Sequence, residues 1–388
     1  TVRDSAGIEI VESTAPLLGE YAWTISEEPV LQIGEVEGED PYLFADIGQR
    51  RPAQSKVLTL DDGRIIVCNG MDRTIRFFDE TGVFIRQVGG QGEGPGEFGR
   101  IYACLSGNGG IVGSEGFRVT FFDQDGLLQK EVEIPRIRNQ RPYVFGAFDD
   151  GSLLLAVRQA SSDQEVGIHD VLTDAFVFSS EGVLSDRVLV WKDARRVQSA
   201  TRGIRQAFSP EGQLISAGRQ IFYGWPETFE IRVFDERGIP VRRIRRNGLP
   251  DPVTEEDRGW WASFETEFDR MRGREPNPSQ RRAREENEEM MVFPDDHPFF
   301  DRLLVDRAGF LWVRRRHPRY DNSYEYSGVR FPFDLVWDVF DPSGRWITTL
   351  TPPNSLQIHD IGEDYILGVW KDEMDVEYVR MYDLDRGS

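Results

Sequence analysis

The chain has 388 residues, with 46 Lys and Arg against 67 Asp and Glu, a formal net charge of −21, and 39% apolar and 12% aromatic residues. That charge argues against nucleic acid or an anionic membrane surface as the main partner, and no apolar run reaches the roughly 18 residues of a membrane-spanning helix. The length would allow two or three ordinary domains, so the internal organisation of the sequence has to decide.

In chain order, Ile8–Val11 (IEIV) and Tyr21–Ile25 read as short strands, followed by Pro29–Gly34 (PVLQIG) and Gly38–Phe44 (GEDPYLF). A repeated cassette then begins. Arg73–Phe98 (RTIRFFDETGVFIRQVGGQGEGPGEF) holds an alternating strand that ends in Phe78-Asp79, a turn at Gly82, and a second strand to Gly89. The same order returns in RVTFFDQDGLL (Arg118–Leu128), FVFSSEGVL (Phe176–Leu184, with Ser179 for Asp), EIRVFDERGIPV (Glu230–Val241), WDVFDPSGRWI (Trp337–Ile347) and, truncated, VRMYDLD (Val379–Asp385). The anchoring aromatics at 78, 122, 178, 234, 340 and 382 are 44, 56, 56, 106 and 42 residues apart. Four short strands with their turns take about 40–50 residues, the size of one propeller blade.

Upstream of each cassette a turn precedes an apolar run: Leu60–Cys68, Asn108–Gly113, Phe148–Val157, Ser209–Ala217, Asp306–Val313 and Gly362–Trp370. These runs read as second strands of hairpins. A further strand before each turn gives six units of order a–b–c–d. The sixth unit ends after its strand c, and Pro29–Gly34 followed by Gly38–Phe44 mirrors the strand d of the first unit. The sequence therefore predicts an all-β, six-bladed propeller of four-stranded antiparallel blades, its last blade closed by an N-terminal strand, which removes the open sheet edge. Residues 1–28 are expected as an extension packing on the propeller of residues 29–388, with Ile8–Val11 and Tyr21–Ile25 across the outside or one face of the last blade.

The residues Arg73–Asp79, Gly82, Gly89 and Gly92–Phe98 resemble those of NHL-repeat and TolB-like six-bladed propellers, and in weaker form the resemblance covers about residues 29–385. A departure from the NHL pattern is Gly99-Arg100-Ile101-Tyr102, where those repeats usually carry a Pro. The resemblance implies the fold and leaves activity open, since the wider group includes binding scaffolds, lactone hydrolases, strictosidine-synthase-like enzymes and lyases.

Two segments break the repeat. Between blades 4 and 5 an insertion at about 250–298 reads as helical. Thr254 and Asp257 form a capping box, and Trp260, Trp261, Phe264, Phe268 and Met271 recur at helical spacing. Pro276 and Pro278 end that helix, and Ser279 caps a second over Gln280–Met291. The insertion joins strand d to strand a, on the face of the b–c loops. Its aromatic stripe (Trp260, Trp261, Phe264, Phe268) packs on the propeller rim, or serves as a lid or as a surface for a protein partner. The b–c loop of blade 5, Arg314–Asp334, gathers Arg314, Arg315, Arg316, His317, Arg319 and Tyr320. With Arg136, Arg138, Arg141, Arg195, Arg196, Arg202 and Arg205 these could bind a carboxylate, a sulfate or an acidic sugar, or simply balance carboxylates such as Asp321 and Glu325. The candidate ligand-binding residues are thus Arg314, Arg316, His317, Tyr320 and His359.

Catalytic signals are thin. The expected inner strands carry Gln54, Ser55, Tyr102, Tyr143, Phe145, Gln206, Phe208, Phe299, Phe300, Gln357 and His359. His359-Asp360 has acid–base potential, but strand alternation turns neighbours to opposite faces. The four histidines, His169, His297, His317 and His359, have no zinc spacing, Gly89–Gly94 opens no helix as a phosphate loop would, and no Gly-x-Ser-x-Gly or Ser-x-x-Lys element occurs. No metal and no cofactor is expected. The reading is an exported, non-catalytic scaffold for a protein or a small anionic or saccharide ligand, in an envelope complex with a membrane-associated partner. The alternative is a lactonase- or lyase-like enzyme with an axial active site. Thr1 in place of Met fits a removed signal peptide and a periplasmic or extracellular location, a trimmed chain being the alternative. Cys68 and Cys104 fall in strands of neighbouring blades and are expected as buried free thiols rather than a bridge.

Overall fold

The computed structural model describes residues 1–17, 22–48, 55–107, 109–159, 166–198, 203–271, 273, 275–289, 291–321 and 333–387. Tyr21, Gln54, Arg202, Met290 and Glu325 lie outside them. Six antiparallel sheets stand around one axis. Blade 1 is Val57–Thr59, Ile65–Asn69, Thr74–Phe78 and Phe84–Gly89, and the others repeat that order.

The cause of the repeat is local. In the c–d turn the carboxylate of Asp79 accepts hydrogen bonds from the backbone N–H groups of Thr81 and Val83, both at 2.9 Å. Asp123 does the same for Asp125 and Leu127, Asp235 for Arg237 and Ile239, and Asp341 for Ser343 and Arg345. Ser179 substitutes its hydroxyl oxygen for the carboxylate, at 3.2 and 3.3 Å. The third residue after each acceptor must turn left-handed, and Gly82, Gly126, Gly182, Gly238 and Gly344 stand there with φ between 72° and 89°. Such side-chain-to-backbone turns give aromatic-Asp-x-x-Gly a physical meaning.

Packing closes the ring. Six apolar clusters each join two adjacent blades. Ile75, Phe77, Phe98, Ile101 and Ile111 fill the seam between blades 1 and 2, and Trp312, Trp337, Ile358, Ile366 and Tyr382 that between blades 5 and 6. Blade 6 takes its fourth strand from the N-terminus, with Ile33 opposite Val379, Gln32 opposite Arg380 and Leu31 opposite Met381.

The N-terminal segment departs from expectation before it reaches that strand. Ile8–Ser13 adds in parallel to the outer strand of blade 4, Pro240–Arg246, rather than to blade 6. Val2–Ser5 folds back on it as the outermost strand. The Leu17 N–H then donates to the Trp346 carbonyl of blade 5 at 3.0 Å, and Thr24–Ile25 pairs with Leu384 and Asp385 of blade 6. The exposed edge of blade 4 and the buried Ile10 and Val11 explain the choice: unpaired ladder groups and an apolar stripe are satisfied together.

Ser209–Ala217 was expected to hold the second strand of blade 4, but Gln213–Ala217 is its innermost strand and Gln220–Gly224 the second, joined at Gly218-Arg219. Gln206 and Phe208 therefore precede the inner strand instead of belonging to it. Cys68 and Cys104, expected as free thiols, are joined as a disulfide between strand b of blade 1 and strand a of blade 2, with Cα atoms 6.3 Å apart. Neighbouring blades bring the two positions into bonding range although 36 residues separate them.

Candidate functional site

The elaborations gather on the face of the b–c and d–a connections. Blade 3 extends its outer two strands, Gly167–Phe178 and Leu184–Gln198, well past its second strand as a two-stranded tongue. The insertion rises between blades 4 and 5 from a zipped base, where the Val253 N–H donates to Asp295 O and the His297 N–H to Asp251 O, both at 2.8 Å. Helix α1, Glu255–Met271, starts with the expected reciprocal cap: the Asp257 N–H donates to Thr254 Oγ1 at 3.2 Å, and the Thr254 N–H to Asp257 Oδ2 at 2.9 Å. Helix α2, Pro278–Glu289, is capped by Asn277 and not by Ser279. The Gln280 N–H donates to Asn277 Oδ1 at 3.0 Å, and proline takes the first helical position, where it needs no N–H partner.

The aromatic stripe of α1 lies on the ring. Phe264 is buried with Tyr320 and Leu335, and Trp260, Phe268 and Phe333 pack around them. Phe208 stacks on Trp260 with centroids 6.4 Å apart and meets Trp261 edge-on at 5.1 Å. It also meets His297 at 4.5 Å. His297 Nε2 is 3.3 Å from Asp257 Oδ2, which ties the helix start to the approach to blade 5. Burial holds the His297 imidazole below its ordinary pKa.

The basic loop enters the same unit. Arg314 is buried; its Nε donates to Asp301 at 2.6 Å, and its guanidinium covers the Tyr320 ring at 4.4 Å. Arg316 stands 3.6 Å from Asp301 and 5.6 Å from the Tyr320 ring. Arg315 grips Asp338 through Nε and Nη2, and Arg319 pairs with Glu256 of α1. His317 stacks on Phe333 at 3.9 Å and accepts the Arg319 N–H on Nδ1 at 3.1 Å. Burial, then the charge of Arg316, push its pKa down. The carboxylates that hold these arginines include Asp301, Asp338 and Glu256, and Glu325 lies outside the described residues. Of the more distant arginines, Arg195 pairs with Asp170 and Glu227, Arg138 with Asp174, and Arg141 lies over Phe117. Arg314, Arg316, His317, Tyr320 and the α1 stripe thus form one compact cap, and His359 lies apart from it.

His359 lines an axial chamber of about 880 Å³ whose walls are the inner strands and whose rim is the a–b turns, on the face opposite the cap. Asp61, Asp149, Asp306, Arg307, Arg219 and Asp360 ring it, and Ser55, Ser106, Ser216, Phe145 and Ile215 lie among the residues of its wall. Here the strand reading needs a correction. A bulge between Ile358 and Asp360 interrupts alternation, so both His359 and Asp360 reach the chamber. His359 Nδ1 accepts the backbone N–H groups of Lys56 and Val57, at 3.1 and 3.3 Å, across the seam to blade 1. That fixes Nδ1 as the acceptor and leaves the proton of the neutral ring on Nε2. Asp360 accepts from the Thr59 N–H at 2.9 Å and is gripped by Arg307 at 3.0 Å. Burial pushes the Asp306 carboxyl up, although it accepts Trp312 Nε1 at 3.0 Å and pairs with Arg386 at 2.8 Å. Among the described residues, no three His, Cys, Asp or Glu side chains converge as metal ligands. The bulge was invisible to strand periodicity; only the juxtaposition of His359 and Asp360 marked the place.

A family described as 6-bladed beta-propeller matches residues 52–104. No curated protein matches the chain. Among solved structures, a Bacteroides fragilis protein named as exported is similar over 98% of this chain and 99% of its own, with 12% identity and a TM-score of 0.50. A member of the duf4221 family from Bacteroides vulgatus is similar over 95% of this chain and 100% of its own, at 7% identity and a TM-score of 0.51. Virginiamycin B lyase from Staphylococcus aureus aligns over 93% of this chain and 99% of its own, at 10% identity and a TM-score of 0.40. At these identities the likeness is one of fold.

Proposed function

We propose that this chain is an exported binding module that takes a small polar ligand into its axial chamber from the a–b face, while the capped face serves as the docking surface for a protein of the cell envelope. The observation that carries this reading is the chamber itself. Its volume suits a small molecule, and its rim alternates carboxylates with the guanidinium groups of Arg219 and Arg307. The cap supports the second half, because Trp260, Trp261, Phe264 and Phe268 lock α1 to the ring and so present its outer surface to a partner. Export is supported by the name of the Bacteroides fragilis relative and by the Cys68–Cys104 bridge, which persists in oxidising compartments.

The test is a thermal-shift screen of polar metabolites on wild type and Ser216→Trp, which fills the chamber. Ligands that raise the midpoint of wild type and not of the variant support the reading. Equal shifts in both proteins would overturn it. A lactonase- or lyase-like activity is the second reading, favoured by the bulge that brings His359 and Asp360 to one wall. It requires turnover in a lactone and ester panel that His359→Ala abolishes. The engagement of Nδ1 by two backbone donors supports a structural role for His359 instead.

A further inference from the structure

Arg314, Arg315, Arg316, Arg319, Arg138 and Arg195 each have a carboxylate within the protein, but a second set of arginines, on blade 4, outnumbers its carboxylates. On the face of blade 4 turned toward blade 3, Arg232 stands directly opposite Arg243 in the c–d pairing, and Arg245 follows two residues on, opposite Glu230. Like charges directly across a strand pair destabilise it, so the fold gains nothing from this placement. Glu230 is the carboxylate they share, with Arg232 Nε at 2.7 Å and Arg245 Nη2 at 2.6 Å. Arg243 has no ion pair among the described residues, and it is half-exposed. Three guanidinium groups stand against two carboxylates, Glu230 and, from the added N-terminal strand, Glu12 in register with Arg245, which leaves an excess of positive charge in a chain whose net charge is −21.

The patch has a shape. It lines a cavity of about 770 Å³ with Thr228, Phe229 and Phe299. That cavity shares Thr228, Glu230 and Arg232 with a second hollow of about 260 Å³, walled by Leu172, Val190 and Trp225 at the seam with blade 3. The two form one continuous rim groove, basic at one end and mostly apolar at the other, where Lys192 lies over the Trp225 ring and Leu172 and Val190 are 39% and 40% exposed. Arg243 and Arg245 are about 7 Å apart along their strand, so successive charges on an extended chain would span them better than a single small ion. Guanidinium groups match carboxylate and sulfate oxygens, and the apolar end suits the C–H face of a pyranose ring.

We propose that this groove binds an acidic oligosaccharide, one that carries sulfate or carboxylate groups, through Arg232, Arg243 and Arg245. The site is separate from the axial chamber and stands or falls without it.

The test is titration of the full chain with sulfated dextran oligosaccharides, oligogalacturonates and neutral dextran oligosaccharides, at low and at physiological salt. Arg243→Glu should weaken the acidic ligand at least tenfold. Arg237→Glu, the same charge change on the c–d turn of the same blade, should stay within twofold, and both variants should keep the melting temperature of wild type. Which acidic series binds tells sulfate from carboxylate recognition. The proposal is overturned if neither acidic series binds, if neutral dextran binds as well, or if the two variants lose affinity equally. Because Arg243 has no ion pair to lose among the described residues, Arg243→Ala gives a second, milder reading: a several-fold loss is expected, and unchanged affinity counts against the site.

Discussion

Blades 6, 1 and 2 and blades 3, 4 and 5 are built from the same cassette, yet they carry different loads. The first half is lean in its b–c loops, residues 372–376, 70–73 and 115–117, and carries a disulfide across its seam between blades 1 and 2. The second half bears the tongue of blade 3, the insertion before blade 5 and the long b–c loop after Arg315, and it is fastened by the N-terminal segment running over blades 4, 5 and 6. The c–d turns of blades 1 to 5 follow one design in both halves, with Ser179 in place of the aspartate in blade 3, so the turn fixes the blade while the b–c and d–a connections are free to grow. Recognition chemistry is therefore to be sought where the repeat is interrupted and along the seams, and stability where it is kept.

The sharpest way to break this contrast is at the closure. Ile33→Asp puts a charge against Val379 in a buried pairing and should cost about 5 kcal/mol, with loss of cooperative unfolding in a denaturant titration; a stable, cooperative variant would mean the ring does not depend on its N-terminal strand. Next comes the lean half. Replacing Cys68 and Cys104 by Ser releases a cross-link across 36 residues, which loop-closure entropy values at about 4 kcal/mol. For a chain of this size that is a drop of about 5 °C in Tm by calorimetry. In the elaborated half, Trp260→Ala with Trp261→Ala should cost about 3 kcal/mol but confine it to the cap. Hydrogen exchange should speed up in α1 and the loop around Tyr320 while the blade strands stay protected. The smallest effect is a pH dependence of that same cap. His297 and His317 are both held below the ordinary histidine value, so opening the cap takes up protons. The stabilisation is complete above about pH 6.5 and is lost as the pH falls toward the lower folded values. Protection factors in α1 should fall between pH 7 and pH 5, and His297→Gln should flatten the trend.

What the sequence made legible follows from the same contrast. The six blades and their closure could be read because Asp79, Asp123, Asp235 and Asp341 must each be followed by glycine at the third place, a constraint that leaves a mark in one dimension. The capping box of α1 was readable for the same reason. Blade 4 was misassigned because Pro210-Glu211-Gly212, ahead of its inner strand, imitates a hairpin, while its true a–b turn is the two residues Gly218-Arg219. The pairing of Cys68 with Cys104 depends on how closely two neighbouring blades approach, which no local pattern encodes. Nor could the fate of Arg314 and Arg316 be foreseen, since Asp301 reaches them only through a bulge between Phe300 and Arg302. Arg243 escaped notice for the opposite reason: in VRRIRR it looks like a solvated edge strand, and only the cross-strand register sets it against Arg232.

The path of the N-terminal segment also orders events in time. Ile8–Ser13 has no edge to join until residue 246 exists, and Leu31–Ile33 none until residue 381 does. At about 5–20 residues per second of synthesis, the first strands wait on the order of twenty seconds to a minute for their neighbours. The ring cannot close before residue 381 has been made and has emerged, and until then the polypeptide remains threadable.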